Sequence, residues 1–100
     1  MTDQQMVLLA EIQRLALEAS RKTGRRVYHE VQGWGNGQVW SVVRALGACS
    51  KSVHQSDINI APSGYESGLM SDSSVHTLAE QHDALEAWMS EIQQRQEVAA

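Results

Sequence analysis

Histidine and cysteine are the side chains that most often bind metals or move protons, and this chain has four histidines and one cysteine. The histidines show neither an H-x-x-x-H nor an H-E-x-x-H spacing, the arrangements that place two ligands on one helix face. Cys49 offers no C-x-x-C pair, so a zinc site would need ligands from distant parts of the chain. We therefore expect neither a metal site nor a bound cofactor.

Nucleophilic catalysis has one candidate pair in the sequence. Cys49 and His54 would form a nucleophile and its base only if the fold brought them together, and an isolated cysteine is usually a small buried apolar residue. The glycines at 33, 35 and 37 resemble a phosphate-binding loop, but they lie between two predicted strands without a helix behind them. We expect a noncatalytic protein; the alternative is a small homodimeric enzyme or ligand-binding protein built around Cys49 and His54.

The elements that would position these residues follow from a turn signal and two periodic patterns. Asn36-Gly37 lies between two runs of alternating apolar residues and predicts a β-hairpin, because a type I′ turn needs positive φ at both central residues. Apolar residues at helical spacing precede and follow this hairpin region. The sequence predicts one α+β domain over residues 1–100: an N-terminal helix at 4–22, an antiparallel β-hairpin at 25–46, a long serine-rich loop at 47–73 with a short third strand at 57–61, and a C-terminal helix at 74–94.

The strand register sets which side chains reach the core. If Asn36 and Gly37 form a two-residue loop, Val31 pairs with Val42 and Gly33 with Trp40. One face then carries Val27, Val31, Trp40, Val42 and Leu46, and the other carries Tyr28, Glu30, Gln32, Trp34, Val39, Ser41 and Val43. We expect the second face either to be partly exposed or to cover a second small core under the following loop.

Charge is distributed unevenly along the chain. Residues 1–56 hold seven basic and four acidic residues, whereas residues 57–100 hold one basic and eight acidic residues, so the two parts carry +3 and −7. The acidic candidates for partner binding on the last helix are Glu80, Asp83, Glu86 and Glu91. Such a surface either imitates the phosphates of a nucleic acid in a basic groove or is simply solvated.

Three further surfaces are candidates for contact with a partner. An aromatic-centred contact would use Tyr28, Trp34, Asn36 and Val43, since aromatic residues dominate binding surfaces. A homodimer would use the second apolar stripe of the first helix, which consists of Met6, Ala10 and Leu17. A nucleic-acid patch would use the basic cluster of Arg21, Lys22, Arg25 and Arg26, although cations near a helix C-terminus also stabilise the helix dipole.

The order helix, strand, strand, strand, helix resembles the double-stranded RNA-binding domain. In that family, basic residues at the start of the last helix contact phosphates across the grooves. The matching stretch here is Ser73-Ser74-Val75-His76-Thr77-Leu78-Ala79-Glu80, which has no lysine or arginine. We therefore expect no direct nucleic-acid binding through this helix, and a small nucleic-acid-binding domain stays an alternative only through the basic patch.

A short acidic α+β chain whose last helix reads Asp83-Ala84-Leu85-Glu86-Ala87-Trp88 resembles the small phage and mobile-element anti-CRISPR proteins. The likeness covers one helix and transfers no functional residue. It implies an inhibitor or adaptor that blocks a larger host protein or ribonucleoprotein complex by steric occlusion or charge mimicry. The single cysteine and the lack of a leader or a long apolar run favour a cytoplasmic protein without membrane contact.

Overall fold

The computed structural model describes residues 1–70 and 74–99 and shows the α+β fold that the sequence predicts. The elements are helix α1 (Asp3–Thr23), strands β1 (Arg26–Gly33) and β2 (Val39–Leu46), a 3-10 turn (Ala48–Ser50), strands β3 (Ser52–Ile60) and β4 (Glu66–Gly68), and helix α2 (Leu78–Ala99). Residues 71–73, the end of the predicted loop, lie outside the described residues. None of the described helices is long and apolar enough to cross a membrane.

Local hydrogen bonds and backbone angles mark both ends of α1 and the start of α2. At the start of α1 the Thr2 hydroxyl accepts from the Gln5 backbone N–H at 3.1 Å, and the Gln5 side chain accepts from the Thr2 N–H at 2.9 Å, which is a capping box. Gly24 ends the helix in the left-handed region at φ 69°. At the start of α2 the Thr77 hydroxyl accepts from the Glu80 N–H at 3.1 Å.

The four strands form one antiparallel sheet in the order β1-β2-β3-β4, and both helices pack on one of its faces. Glu66 of β4 joins the two helices, since one carboxylate oxygen accepts from the Gln5 amide at 2.8 Å and the other from the Leu78 N–H at 2.6 Å. The core between the sheet and the helices consists of Leu9, Ile12, Leu15, Ala16, Ala19, Val27, Val43, Ala45, Ile58, Ile60, Leu78, Leu85, Trp88, Met89 and Ile92.

The predicted register of the hairpin is wrong by one residue. Val27 pairs with Ala45 and Val31 with Ser41, because the chain turns over residues 34–38 rather than over Asn36 and Gly37 alone. The Trp34 N–H donates to the Gln38 carbonyl at 3.0 Å, and both Gly35 and Gly37 take positive φ. A shift of one residue moves every β2 side chain to the opposite face of the sheet.

The one-residue shift in register changes which side chains of β2 lie in the core. Val43, predicted as a contact residue, is fully buried under the helices at 0% exposure. Trp40 and Val42, predicted on the core face, instead share the opposite face with Tyr28.

The predicted loop at 47–73 is wrong at residues 52–56 and 66–68, which lie in strands. The strand expected at 57–61 extends back to Ser52, and β4 was not predicted. Serine, aspartate and asparagine are depleted in strands, so their presence in β3 favoured a loop. The ladder with β2, the Trp40 hydrogen bond to the Asn59 side chain and the Gln81 hydrogen bond to the Ser56 carbonyl override that local preference.

The observed register predicts different effects for two neighbouring valines. Val43→Ala should reduce the free energy of unfolding by about 2 to 3 kcal/mol, because it leaves a cavity in a fully buried site. The matched control Val42→Ala removes the same atoms from a half-buried site on the opposite face and should have a smaller effect. Urea unfolding measures both values. A larger loss of stability for Val42→Ala than for Val43→Ala would contradict the observed register and favour the register predicted from the sequence.

Candidate functional site

The sheet face opposite α1 and α2 is the candidate site, because neither described helix packs on it. We call it the open face. Strand pairing places on it Arg26, Tyr28, Glu30 and Gln32 from β1, Trp40, Val42, Arg44 and Leu46 from β2, and Gln55, Asp57 and Asn59 from β3.

The apolar side chains of the open face lie along β2, one of the two central strands of the sheet. Trp40, Val42 and Leu46 are each only half-buried on β2, and Arg44 lies between Val42 and Leu46 on the same face. We call the three apolar side chains the apolar line. The residues beside them on β1 and β3 are mostly polar or charged. An apolar centre with a polar rim is the arrangement that protein interfaces typically have.

A pair of tryptophans stands at one end of this apolar line. The rings of Trp34 and Trp40 meet edge to face with their centroids 4.7 Å apart, and Trp34 remains 50% exposed. Trp40 is fixed by its indole N–H, which donates to the Asn59 side-chain oxygen at 3.1 Å. The Gln38 amide donates to the same oxygen at 2.6 Å. The exposed Trp34 ring therefore packs against Trp40, whose position is fixed by a hydrogen bond.

The turn that carries Trp34 is itself supported by the rest of the fold. Gly37 has φ 92°, and a Cβ there would lie only 3.2 Å from the Pro62 Cβ, so the turn packs closely on the β3–β4 connection. The side chain of Asn36 accepts from the Gln38 N–H at 2.9 Å. These contacts hold the turn, and with it Trp34, in place in the free protein.

Charges of both signs lie on the open face. The Arg26 guanidinium is 5.7 Å from the centre of the Tyr28 ring. Asp57 is only 9% exposed, and one of its oxygens accepts from the Gln55 amide at 3.0 Å. Its other oxygen and the Arg44 Nε are buried without a hydrogen-bond partner among the described residues. Two buried polar atoms of this face therefore have unused bonding capacity.

The helix-covered side contains a buried polar network rather than a catalytic pair. The Gln81 amide nitrogen donates to the carbonyls of Ser41 and Ser56, each at 3.0 Å, which orients its oxygen toward the Ser41 hydroxyl at 2.7 Å. Since that hydroxyl donates to Gln81, it accepts from His29 Nε2 at 2.7 Å. Ser41 is 0% exposed and its proton is engaged, so it is not an activated nucleophile.

Burial governs the two histidines of the helix-covered side. It lowers the pKa of His29 to about 4, because the charged ring would lose its hydration. Burial also lowers the pKa of His54, whose ring stacks on Trp88 with centroids 5.8 Å apart. Cys49 is exposed in the 3-10 turn with φ 61°, and no hydrogen bond joins it to His54 within the described ranges.

The structure separates the residues that the sequence grouped as one aromatic contact. Tyr28 lies on the open face, while Trp34 and Asn36 lie in the turn at its end. Val43 is a core residue and belongs to no exposed contact. Sequence reasoning missed Trp40, Val42 and Arg44, because the register error assigned Trp40 and Val42 to the core face.

The acidic residues of α2 lie on the far side of the molecule from the open face. Glu80, Asp83, Glu86 and Glu91 are all exposed. The Glu80 carboxylate accepts from the His76 N–H and from Thr77, and Glu91 pairs with Arg95. Asp83 contacts the His82 ring at 3.1 Å, so Asp83 and Glu86 are the two carboxylates of this set without a capping role or an arginine partner.

The predicted basic patch is divided among different environments. Lys22 pairs with Glu18 at 2.6 Å, and this contact is the largest cause that lowers the pKa of the Glu18 carboxyl. Arg21 is exposed on α1, Arg25 is half-buried, and Arg26 lies over Tyr28 on the open face. Of these four basic residues, only Arg26 lies beside an aromatic residue of the open face, Tyr28.

Two other surfaces flank the N-terminal helix. Met6 and Leu17 are 55% and 65% exposed, and Ala10 between them is exposed as well. A cleft of about 590 Å³ lies where the N-termini of the two helices meet the β3–β4 connection, with Leu8 and Tyr65 in its wall. Glu66 already accepts from the N-terminus of α2 in this cleft, so the helix N–H groups there have an internal acceptor.

Comparison with protein-family models, curated proteins and solved structures finds no match to this chain. Within residues 1–70 and 74–99, no group of three or more histidine, cysteine, aspartate or glutamate residues is arranged to hold a metal ion.

The buried His29 predicts a pH-dependent stability. Because its pKa in the folded chain lies below the value of 6.5 expected on unfolding, the unfolded state binds more protons between pH 6.5 and about 4. The free energy of unfolding should therefore fall as the pH is lowered through this window. His29→Gln, which retains an N–H donor for Ser41, should remove part of the decrease, and His54 contributes with the same sign.

Urea unfolding at pH 7 and pH 5 measures this difference. The control His76→Gln removes an exposed histidine outside the buried network and should retain the decrease. If the free energy of unfolding of His29→Gln fell by as much between pH 7 and pH 5 as that of the wild type, His29 would not contribute to the decrease.

Proposed function

We propose that this protein is a noncatalytic binding module that recognises a partner protein through the open face. The observation that carries the proposal is the apolar line of β2, which has the supported Trp34–Trp40 pair at one end and a polar rim on both sides. Tryptophan, tyrosine and arginine are the residues that most often dominate binding energy, and all three types are present on this face.

The geometry favours binding without large rearrangement. Hydrogen bonds from Trp40 and Gln38 to Asn59 fix one end of the open face, and Pro62 supports the turn. A surface that is ordered before binding loses less conformational entropy when the complex forms.

The resemblance to anti-CRISPR proteins supports an inhibitor as the form of this activity. Occupation of a surface on a larger host complex requires no catalytic residue, and steric occlusion through the open face is sufficient for it. Charge mimicry would use Asp83 and Glu86 on α2, which point away from the open face. The two surfaces therefore serve two separate contacts rather than one continuous contact.

Single-stranded nucleic acid is the second candidate partner. The observation that favours it is the placement of Arg26 over Tyr28 beside Arg44 on an uncovered four-stranded sheet, since aromatic rings on such sheets stack with bases. Glu30 and Asp57 lie on the same face and oppose the attraction of phosphates, so we place this function second.

Replacement of the exposed tryptophan tests the proposal directly. Trp34→Ala should weaken partner binding by about 2 kcal/mol or more, because it removes the exposed ring at the end of the apolar line. Its cost in folding stability should be below about 1 kcal/mol, since half of the side chain is already in water. Capture of the partner from nuclease-treated bacterial lysate, followed by titration with the purified partner, measures the first effect.

Tyr65→Ala is the matched control, because Tyr65 is a 72% exposed aromatic residue at the helix-side cleft. It should leave binding unchanged. Equal binding by wild type and Trp34→Ala would contradict the proposal, and loss of binding after nuclease treatment would favour the nucleic-acid alternative.

Charge reversal on α2 tests the mimicry mechanism by itself. The double variant Asp83→Lys, Glu86→Lys should slow association with a basic partner surface by about tenfold at low salt, because long-range attraction is replaced by repulsion. Asp83→Asn, Glu86→Gln should give an intermediate rate, which surface plasmon resonance would resolve. An unchanged rate in the double reversal would exclude mimicry while leaving the open face as the binding surface.

A further inference from the structure

Strand β1 forms one edge of the sheet, and the direction of its unpaired backbone groups follows from the ladder. The Trp34 N–H donates to Gln38, so the residues of β1 that bond to β2 are the even-numbered ones. The N–H and C=O groups of Val27, His29, Val31 and Gly33 therefore point outward. This edge offers a row of donors and acceptors to another strand.

The β1 edge lacks several of the features that usually prevent such pairing, although it carries the charged residues Arg26 and Glu30. β4, at the opposite edge, has only three residues, whereas β1 has eight, and the β1–β2 ladder contains no register shift. β1 contains neither proline nor lysine. Val31 faces the helix side yet is 45% exposed, because the helices cover only the first half of the strand. Natural edges of this length are normally blocked.

We propose that two copies of this chain pair through β1 in an antiparallel arrangement, with His29 opposite His29 of the second copy. In this register Val27 lies opposite Val31 of the second copy, and about six backbone hydrogen bonds form. The first half of each β1, which the helices cover, then lies beside the second half of the other β1, which they do not cover. The exposed Val31 gains an apolar neighbour on the helix side.

The choice of this register comes from the sequence of β1. Shifting the pairing by two residues in one direction places Glu30 directly opposite Glu30 of the second copy, and like charges opposite each other destabilise a sheet. Shifting it by two in the other direction pairs the strand with Gly24, which ends α1. The proposed register keeps Arg26 through Gln32 within β1 and puts Tyr28 opposite Glu30 of the second copy.

The dimer would join the two sheets into one, with all four helices on the same side. Side chains that face each other across an antiparallel pair lie on the same face, so the two open faces become continuous. Tyr28 of each copy then lies next to the junction. This dimer differs from one through Met6, Ala10 and Leu17, which would leave β1 free.

The mass in solution and one pair of variants test the interface. Light scattering after gel filtration at high micromolar concentration should give twice the chain mass for the wild type. Val31→Pro removes an N–H that points away from β2, so it should abolish the dimer while circular dichroism shows a folded chain. Val31→Ala keeps the N–H and should remain dimeric. A monomeric wild type, or a folded and dimeric Val31→Pro, would overturn the proposal.

Disulfide cross-linking tests the register without a disruptive variant. Two proteins, Tyr28→Cys and Glu30→Cys, would each carry Cys49→Ser to remove the exposed native thiol. Oxidation of their mixture should give a covalent heterodimer, because the proposed register places these positions opposite each other. Each protein oxidised alone should cross-link less. Absence of the mixed product, or equal cross-linking of the separate proteins, would contradict this register.

Discussion

The side-chain amide of Gln81 joins α2 to the two central strands of the sheet. It is fully buried and donates to the carbonyls of Ser41 on β2 and Ser56 on β3, while its oxygen accepts from the Ser41 hydroxyl. A buried amide that loses such partners is costly, so these bonds fix the position of α2 against the sheet. Together with Glu66, which bonds to both helices, they keep α1 and α2 on one face.

The surface of the protein follows from this one-sided packing. With both helices on one face, β2 presents Trp40, Val42 and Leu46 on the other, where each of them stays partly exposed. The polar network on the helix side stabilises the fold and has no accessible nucleophile, since Ser41 is sealed at 0% exposure. We therefore propose recognition as the activity of this protein, with the open face as the surface that binds.

The elements that depend on local signals could be predicted from the sequence. Thr2, Gly24 and Thr77 mark helix ends through hydrogen bonds and backbone angles within a few residues. The predicted first helix agrees with α1 to within one residue at each end, whereas α2 spans Leu78–Ala99 rather than 74–94. The register could not be predicted in this way. Gly35 and Gly37 both allow positive φ, so the turn can be longer than Asn36-Gly37.

The candidate site was predicted only in part, for the same reason. Tyr28 and Trp34 were identified by type and position, but their true neighbour Trp40 depends on the register. The polar strand β3 depends on partners that are distant in sequence, such as Gln81 for Ser56 and Gln38 for Asn59. Local propensity contains no information on such partners.

Oxidative footprinting of the free protein and of its complex with the captured partner tests the open face most directly. Hydroxyl radicals modify exposed tryptophan, tyrosine and methionine side chains, and mass spectrometry locates the modified residues. We expect oxidation of Trp34 and Tyr28 to fall in the complex and that of Met6 and Tyr65 to be unchanged. Protection of Met6 or Tyr65, with Trp34 still oxidised at its free rate, would contradict this expectation.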